Sequence, residues 1–571
     1  MLTPKPGRPP AIFRRPDRVA LTRSDRFERV GLQVRFAIDV RRLPWVSRLS
    51  ADYASDFPKL ARFYPGDPAR PEAWADAIRR AQTHPRDRST LVEAVTAQQD
   101  RRGAPAEARA AAARLADAAT VAVVTGQQAG LFGGPLYTLL KALTAVRLAA
   151  QVTADHGVRA VAVFWVESED HDWQEVRSCA VLDAEMNRHA INLGTPPGAG
   201  ETPVSSVVLD PSILAALDGL RATLPPTEFT DVTLDALSRA YRPGAGMSEA
   251  FSAWLESLLG RFGLVVYDSS DPATKAAAAG LFARELEAPA TARLALAQGR
   301  ALVALGYHAQ VVPHEDAVAL FALDGTRQPI RARDGAFLVG DSLVPAADLV
   351  DRARRHPERF SPNVLLRPIV QDALFPTVCY VAGPSELAYQ GELGPVYEHF
   401  GVPQPLVAPR VTATLLDSAA AKFLAKHDVA LEALQPDNEA ALNQLLEAQL
   451  PKAIEEAHAG ASKAVEDGMA RLIETLPLID ATLAGAARSS LGRMQHDLRA
   501  LHEKIVQAAK RRDETLRRQF TRTRALAFPD GHPQERTIGF VSFLNRYGPA
   551  LVDRLHDELS LDAGAHWVLT P

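Results

Sequence analysis

The hydrophobic positions follow two different patterns, which divide the chain into two parts. From Val121 to about Arg410, short apolar runs that end in polar or glycine-rich loops alternate with helical patterns. This alternation predicts parallel strands joined by helices, as in a Rossmann-like α/β core, and one of the expected strands is 309–312. The hairpin-like stretch 318–344 is expected to turn at Asp324-Gly325 and Asp334-Gly335. After Arg410 the pattern is helical almost without interruption to about Ala527. We therefore predict an α/β domain followed by a helical domain.

The helical part carries a heptad pattern, which is typical of a coiled coil. Its apolar positions are Met469, Leu472, Leu476, Ile479 and Leu483, followed by Leu491, Met494, Leu498, Leu501 and Ile505. Pro477 interrupts the pattern, and proline costs about 3 kcal/mol inside a helix. We therefore predict two long antiparallel helices that fold back near 476–480. The arm is expected to serve packing or homodimerisation rather than catalysis.

These patterns predict four segments. Residues 1–34 are rich in proline and arginine and are expected to form a disordered lead. Residues 35–410 form the Rossmann-like core with insertions near 200–260 and 295–360, and residues 411–527 form the coiled-coil domain. Residues 528–571 are expected to pack back on the core. A basic stretch at 504–524 is either a solvated helix face or a site for a phosphate or a second nucleotide.

Composition and charge narrow the function classes. The formal net charge is -4, so no global field would attract nucleic acid or an anionic membrane. The chain contains no apolar run long enough to span a membrane and no signal-peptide pattern at its start. Its two cysteines, Cys179 and Cys379, form no motif, which favours a reducing compartment over a disulfide framework. We expect a soluble, cytoplasmic protein without a zinc site.

The first candidate site follows the predicted strand at Val121. A glycine-rich loop there precedes an amphipathic helix that begins near Leu136. Small residues let a backbone approach a ligand, and a helix N-terminus attracts anions. The candidate binding residues are Thr125, Gly126, Gln127, Gln128, Gly130, Gly134 and Tyr137. Alternatively, the glycines serve only helix and strand packing. The loop matches neither a Walker A motif nor GxGxxG.

The second candidate site follows the predicted strand at Ala160. Five titratable residues are crowded into six positions: Glu167, Glu169, Asp170, His171 and Asp172. Clustered carboxylates raise one another's pKa and can hold a histidine protonated, which suits acid/base catalysis or a magnesium-bound nucleotide. We take His171, Asp170 and Glu169 as the catalytic candidates. The alternative is a solvated strand end at which Asp172 caps the next helix.

A third group of candidates lies between 361 and 389. The guanidinium of Arg367 can bind a carboxylate or phosphate, and nearby polar side chains can orient the ligand. The other members of this group are Gln371, Asp372, Gly383, Glu386 and Tyr389. A structural salt bridge between Arg367 and Asp372 is an equally good interpretation of these residues.

Five segments in the same order together resemble the BshC family of bacillithiol biosynthesis proteins. They are Thr125–Tyr137, Phe164–Asp172, Ser361–Asp372, Gly383–Tyr389 and Gln534–Arg536. The resemblance covers nearly everything from about Leu43 to the C-terminus. It implies a Rossmann-like core with inserted connecting segments, similar to class I aminoacyl-tRNA synthetases, and a coiled-coil domain associated with dimerisation.

The resemblance also implies a reaction in which L-cysteine is joined to the amine of glucosaminyl-malate. Forming an amide from a carboxylate requires a leaving group, so we expect ATP with Mg²⁺. In this hypothesis the sugar-malate or nucleotide anions bind the loop at Gly126–Gly134, and His171 takes the proton from the amine. Cysteine or the malyl carboxylate is oriented by Arg367, Glu386 and Tyr389. Two alternatives remain: a transferase that uses a pre-activated cysteine donor, and a non-catalytic nucleotide-binding scaffold.

Overall fold

The computed structural model describes residues 28–30, 33–435, 439–448, 452–480, 482–512 and 514–571. These residues form two compact units. The larger unit contains the described residues up to Leu415 together with Pro533–Pro571, and the smaller unit is Leu416–His532. Most of the lead predicted to be disordered lies outside the described residues, but regular structure already begins within 28–34.

The strands of the described residues are, in chain order, β1 Glu28–Val30, β2 Gln33–Asp39, β3 Val121–Gln128, β4 Ala160–Glu167, β5 Ser178–Leu182, β6 Arg188–Asn192, β7 Val265–Asp268, β8 Ala317–Asp324, β9 Thr326–Arg333, β10 Ala336–Val339, β11 Ser342–Pro345, β12 Phe360–Pro362, β13 Thr377–Ala382, β14 Leu406–Pro409, β15 Thr412–Leu415 and β16 Ala565–Leu569.

The α-helices of the described residues are, in chain order, α1 Arg48–Ser55, α2 Pro71–Thr83, α3 Arg88–Arg102, α4 Ala106–Arg114, α5 Leu136–His156, α6 Trp173–Val176, α7 Ser212–Thr223, α8 Thr230–Ala240, α9 Met247–Leu259, α10 Pro272–Glu287, α11 Thr291–Ala304, α12 Ala346–Arg355, α13 Arg367–Leu374, α14 Pro384–Gln390, α15 Gly394–Phe400, α16 Ser418–His427, α17 Ala440–Ala448, α18 Lys452–Thr475, α19 Leu483–Arg512, α20 Glu514–Ala527, α21 Gln534–Thr537, α22 Phe540–Tyr547 and α23 Ala550–Glu558.

The central sheet of the larger unit is parallel and has the strand order β14-β13-β3-β4-β7. The chain builds outward from β3, first through β4 and β7 and then, on the other side, through β13 and β14. This is the order of a doubly wound Rossmann fold. Residues 121–124 of β3 are fully buried because layers cover both faces of such a sheet. The predicted Rossmann-like core is confirmed.

The long insertions fold as sheets and helices of their own. Residues 317–362 form an antiparallel sheet of order β11-β10-β9-β8-β12. Its predicted turns are present: Gly325 and Gly335 have φ of 78° and 69°, a conformation that glycine adopts without steric cost. A second insertion contains the β5-β6 hairpin and helices α7 to α9.

The C-terminal segment returns to the larger unit. Strand β16 pairs with β2 and β15, and the N–H of Leu136 at the start of α5 donates to the carbonyl of Ile538 at 2.8 Å. Arg410 and Glu535 form a buried bidentate ion pair at 2.7 and 3.0 Å. The chain end is thereby held next to the central sheet.

The smaller unit contains the predicted helical hairpin. Helices α18 and α19 run antiparallel, as shown by His502 bonding to Glu455 at 2.9 Å and His458 bonding to the carbonyl of Leu498 at 3.2 Å. The reversal follows Thr475 and includes Pro477, as the sequence predicted. No helix of the described residues is long and apolar enough to span a membrane.

A strand expected at 309–312 is absent from the described structure. Instead, the N–H groups of Gln310 and Val311 donate to the carboxylate of Glu392, at 2.6 and 3.3 Å. These donors are therefore not available for pairing with a neighbouring strand.

Candidate functional site

A cavity of about 350 Å³ lies at the carboxyl ends of β3, β4 and β13. The strand order reverses between β3 and β13, and such reversal points are the usual ligand sites of doubly wound sheets. The cavity carries both signs of charge. Its cations are Lys141, Arg327, Arg367, Arg410 and Arg536, and its carboxylates are Glu167, Asp170, Glu175 and Glu386.

Lys141 on α5 is 3% exposed and forms the base of the cavity. Its ammonium contacts three acceptors: the Gly126 carbonyl at 2.8 Å, Gln127 Oε1 at 3.0 Å and Glu386 Oε2 at 2.5 Å. Three acceptors match the three donors of a charged lysine. Burial acts to raise the pKa of Glu386, but Lys141, with the hydrogen bonds from Tyr380 and the Gly383 N–H, outweighs burial and holds that pKa below its ordinary value. The pair is therefore ionised.

Arg367 at the start of α13 lies in a wall of buried tyrosines. It donates to the hydroxyl of Tyr389 at 2.9 Å and to Gln371 Oε1 at 3.1 Å, and its Nε lies 3.6 Å from Glu167. Tyr380 donates to Glu386 at 2.5 Å. Arg367 thus joins the carboxylate at the end of β4 to the residues that follow β13.

The carboxylates at the end of β4 form an acidic side of the cavity around Gln128. Gln128 Nε2 donates to Asp170 at 3.1 Å and to Glu175 at 2.9 Å. Its buried Oε1 receives no hydrogen bond from the described residues. Burial, followed by repulsion from Asp172 and Asp170, raises the pKa of Glu175. This side can accept a ligand that brings several N–H donors.

Two of the three predicted catalytic residues do not line the cavity. Glu169 is buried and pairs with Lys275 on α10, and burial raises its pKa to about 7. The ring of His171 is partly exposed, with Nδ1 3.2 Å from Asp170 Oδ1. Of the three, only Asp170 is in the cavity wall. The side chains of these sequence neighbours point in different directions in the loop after β4 because each has a different partner.

The glycine-rich loop matches the predicted ligand-binding loop only in part. Gly126, Gln127, Gln128 and Tyr137 line the cavity, whereas Gly130 and Gly134 do not. A β-carbon at Gly133, where φ is 96°, would lie 2.2 Å from the ring of Phe540. Gly133 therefore makes room for the C-terminal segment.

Three further predicted residues have structural contacts away from the cavity. Thr125 donates to the carbonyl of Val381 at 2.9 Å and so links β3 to β13. Gln371 donates to Asp372 at 2.9 Å, and Asp372 accepts from Tyr397 at 2.5 Å. Gln371 and Asp372 are almost fully buried. The proposed salt bridge between Arg367 and Asp372 is absent, because Arg367 turns towards Glu167 and Tyr389.

Five charged cavity residues are not among the site candidates predicted from the sequence: Lys141, Glu175, Arg327, Arg410 and Arg536. Lys141 did carry a signal, since it is a charged residue among the apolar positions of α5. Arg327 carried none, because it comes from the inserted sheet, 157 residues from its partner Asp170.

The described residues contain no group of three or more His, Cys, Asp or Glu placed to hold a metal ion. The N-terminus of α5 does not fit a nucleotide phosphate either, because the N–H of Leu136 is bonded to Ile538 and Phe540 packs on the loop. Both cysteines are buried free thiols, and burial raises the pKa of Cys179 to about 12. Neither thiol is therefore placed to react.

The fold and cavity define a Rossmann-like α/β protein that also has a coiled-coil domain. Its cavity lies at the topological switch point and is lined by both positive and negative side chains. Residues 36–411 match the family model described as "Bacillithiol biosynthesis BshC, N-terminal Rossmann-like domain", and residues 413–571 match its C-terminal coiled-coil domain. The chain belongs to the BshC family.

Individual relatives agree with this assignment. The chain is 34% identical over 530 residues to a "Putative cysteine ligase BshC" of Salinibacter ruber, a match that covers 91% of this chain and 96% of the relative. A protein of the same name from Koribacter versatilis is 35% identical over 526 residues, covering 91% and 97%. One from Solibacter usitatus is 32% identical over 529 residues, covering 92% and 98%.

Proposed function

We propose that this protein is a cysteine ligase that joins L-cysteine to the amine of glucosaminyl-malate in bacillithiol biosynthesis. Family membership over nearly the whole chain supports the reaction. The observation that carries the assignment of the site is the cavity at the switch point, where four carboxylates and five cations line one space. Glucosaminyl-malate offers an ammonium and two carboxylates, so it complements both signs.

The sheet sets Asp170 and Glu175 apart from Arg410. Asp170 and Glu175 follow β4, whereas Arg410 follows β14. Strands β4 and β14 are three positions apart in the sheet, and neighbouring strands lie about 4.8 Å apart. The axes of these two strands are therefore about 14 Å apart. In this proposal the amine binds beside Asp170 and Glu175, and the malyl carboxylates bind beside Arg410.

The acidic side suits an incoming ammonium group. Its N–H donors would satisfy the buried Oε1 of Gln128, which otherwise lacks a partner, together with Asp170 and Glu175. The amine must lose a proton before it attacks a carbonyl. Glu175 replaces His171 as the proposed base, because it lines the cavity and its raised pKa favours taking up a proton.

ATP with Mg²⁺ is the proposed activator of the cysteine carboxylate. Its phosphates are not placed at the N-terminus of α5, where the chain's own C-terminal segment occupies the loop. That occupied loop favours one alternative, a transferase that receives cysteine from an already activated donor. Likeness of the core to class I aminoacyl-tRNA synthetases stays a prediction.

One assay separates these possibilities. Purified protein is incubated with glucosaminyl-malate, cysteine, ATP and Mg²⁺, and the products are followed by mass spectrometry. Bacillithiol with AMP indicates an adenylate, and bacillithiol with ADP indicates an acyl phosphate. Product formed only from a cysteine thioester, without ATP, indicates the transferase. No product from either donor would contradict the ligase proposal and favour a scaffold.

We also propose a homodimer formed through the coiled coil. Several large apolar side chains of the hairpin are exposed in the single chain: Leu472, Leu478, Ile479, Leu483, Met494 and Leu501. Burial of such residues against a second copy would be favourable. Sedimentation at several concentrations, with Leu472→Asp and Leu501→Asp as a double variant, tests this. A cytoplasmic location belongs to the same proposal, since both cysteines are unpaired thiols.

A further inference from the structure

Arg327 is a cavity residue that the Rossmann core does not supply. It lies on β9 of the inserted sheet, and its side chain is 7% exposed. Its guanidinium stacks on the ring of Phe321, with Cζ 3.7 Å from the ring centre. Arginine combines such stacking with donors held in a fixed planar arrangement. The position of this side chain is therefore determined by the inserted sheet.

The donors of Arg327 reach the acidic side of the cavity and its neighbouring strand. Nη1 donates to Asp170 Oδ1 at 2.9 Å, Nε donates to Ser361 Oγ at 3.1 Å, and Nη2 donates to the Pro362 carbonyl at 3.4 Å. The other oxygen of Asp170 accepts from Gln128 at 3.1 Å. Each oxygen of Asp170 thus has its own donor, and the carboxylate is held in one orientation.

The same Nη1 also determines the role of His171. It lies 3.2 Å from His171 Nδ1, and a guanidinium donates hydrogen bonds but cannot accept them. The contact with Arg327 therefore favours the tautomer in which Nδ1 is the acceptor and the ring proton lies on Nε2. Nδ1 is also 3.2 Å from Asp170 Oδ1, but that oxygen already accepts from Arg327 and from the His171 backbone N–H at 2.8 Å. In this tautomer His171 has no free lone pair with which to remove a proton.

We propose that Arg327 is a positioning residue that fixes Asp170 as an acceptor for the substrate ammonium and keeps His171 from acting as the base. The inference rests on the proposed function, since it needs an amine substrate in this cavity. It makes the inserted sheet part of the active site: an arginine from the insertion orients a carboxylate of the core. It also identifies a primary amine as the ligand class that the acidic side selects.

The test measures selectivity for the amine rather than turnover. Calorimetry gives the dissociation constants of glucosaminyl-malate and of its N-acetyl analogue, which lacks the ammonium, for the wild type, Arg327→Met and Arg327→Lys. A hydrogen bond to a charged group is worth about 1.5–3 kcal/mol. Arg327→Met should therefore weaken the amine ligand about ten- to a hundredfold and leave the analogue unchanged. Arg327→Lys should restore part of the difference, because it keeps one donor near Asp170.

Arg333→Met is the matched control. Arg333 lies on the same strand, and its ion pair with Asp316 is largely exposed, so binding of both ligands should be unchanged. If Arg327→Met does not fold, Asp170→Asn supplies the same comparison with nearly the same shape. Equal weakening of both ligands, or no weakening of either, would overturn the proposal.

The two proposals fail in distinguishable ways. If the wild type forms bacillithiol and Arg327→Met binds the amine normally, the positioning role is wrong and the ligase assignment stands. If Arg327→Met loses amine selectivity but the wild type forms no product from any cysteine donor, the positioning role stands and the ligase assignment is wrong.

Discussion

Replacing Lys141 by methionine tests how the base of the cavity is held together. The change keeps most of the side-chain volume but removes contacts at 2.8, 3.0 and 2.5 Å from Gly126, Gln127 and Glu386. It leaves the Glu386 carboxylate buried without its cation. Removing one partner of a buried ion pair costs about 3–5 kcal/mol. Glu386 keeps its bonds to Tyr380 and to the Gly383 N–H, so we expect about 3 kcal/mol.

The cost should depend on pH in a defined direction. In the wild type Lys141 holds the pKa of Glu386 below its ordinary value, so the ion pair stabilises the fold above that value and is lost as the pH falls. In Lys141→Met, the ammonium no longer opposes burial, and only the bonds from Tyr380 and the Gly383 N–H still lower the pKa of Glu386, so that this pKa rises. The variant therefore becomes less stable as the pH rises. The difference in unfolding free energy between the two proteins should grow from pH 5 to pH 8.

Urea unfolding followed by circular dichroism at both pH values measures these differences. The matched variants are Glu386→Gln and the double variant, which complete a mutant cycle. The double variant should be more stable than Lys141→Met at pH 8, because no unpaired charge remains buried. A cost below about 1 kcal/mol for Lys141→Met at pH 8, with no coupling in the cycle, would refute the buried ion pair.

Three further predictions concern the framework around the cavity. Arg410→Met should destabilise the protein by about 3–5 kcal/mol in urea unfolding, because Glu535 is left buried and unpaired; equal stability of variant and wild type would contradict this. Gly133→Ala should lower the melting temperature, since its β-carbon would meet Phe540 at 2.2 Å and its φ is 96°; an unchanged melting temperature would show that the loop can move. Burial raises the pKa of Glu392 from 4.5 to about 7. As the pH rises through this range, Glu392→Gln should therefore gain stability relative to the wild type, by at most about 3 kcal/mol. A stability difference that does not depend on pH would contradict this prediction.

Much of the fold could be predicted because its signals are local. Buried strands such as β3 and β13 are continuous apolar runs, and the turns at Gly325 and Gly335 follow from short-range backbone preferences. The hairpin reversal follows from a proline between two heptad runs. The prediction of a strand at 309–312 was wrong, because Glu392, 82 residues from Gln310, accepts the hydrogen bonds that a neighbouring strand would have accepted.

The candidate site was only partly predictable for the same reason. Arg367, Glu386 and Tyr389 do meet in the cavity, because the ends of parallel strands lie at one edge of the sheet. The direction of each side chain beyond a strand end depends on what packs against it. Glu169 pairs with Lys275, whereas Asp170 lines the cavity, and composition alone could not predict which of the two would do so.

The two domain types, the apolar strands of the core, the helical hairpin and the segments that resemble one family could all be predicted from local patterns. These depend on periodicity and on residue types at short spacing. Three features follow from tertiary packing: the C-terminal segment fills the glycine loop, Lys141 lies under the cavity, and Arg327 reaches in from an insertion. Each of those contacts joins residues that are adjacent only after folding, because burial of the apolar surfaces and pairing of the buried charges bring them together.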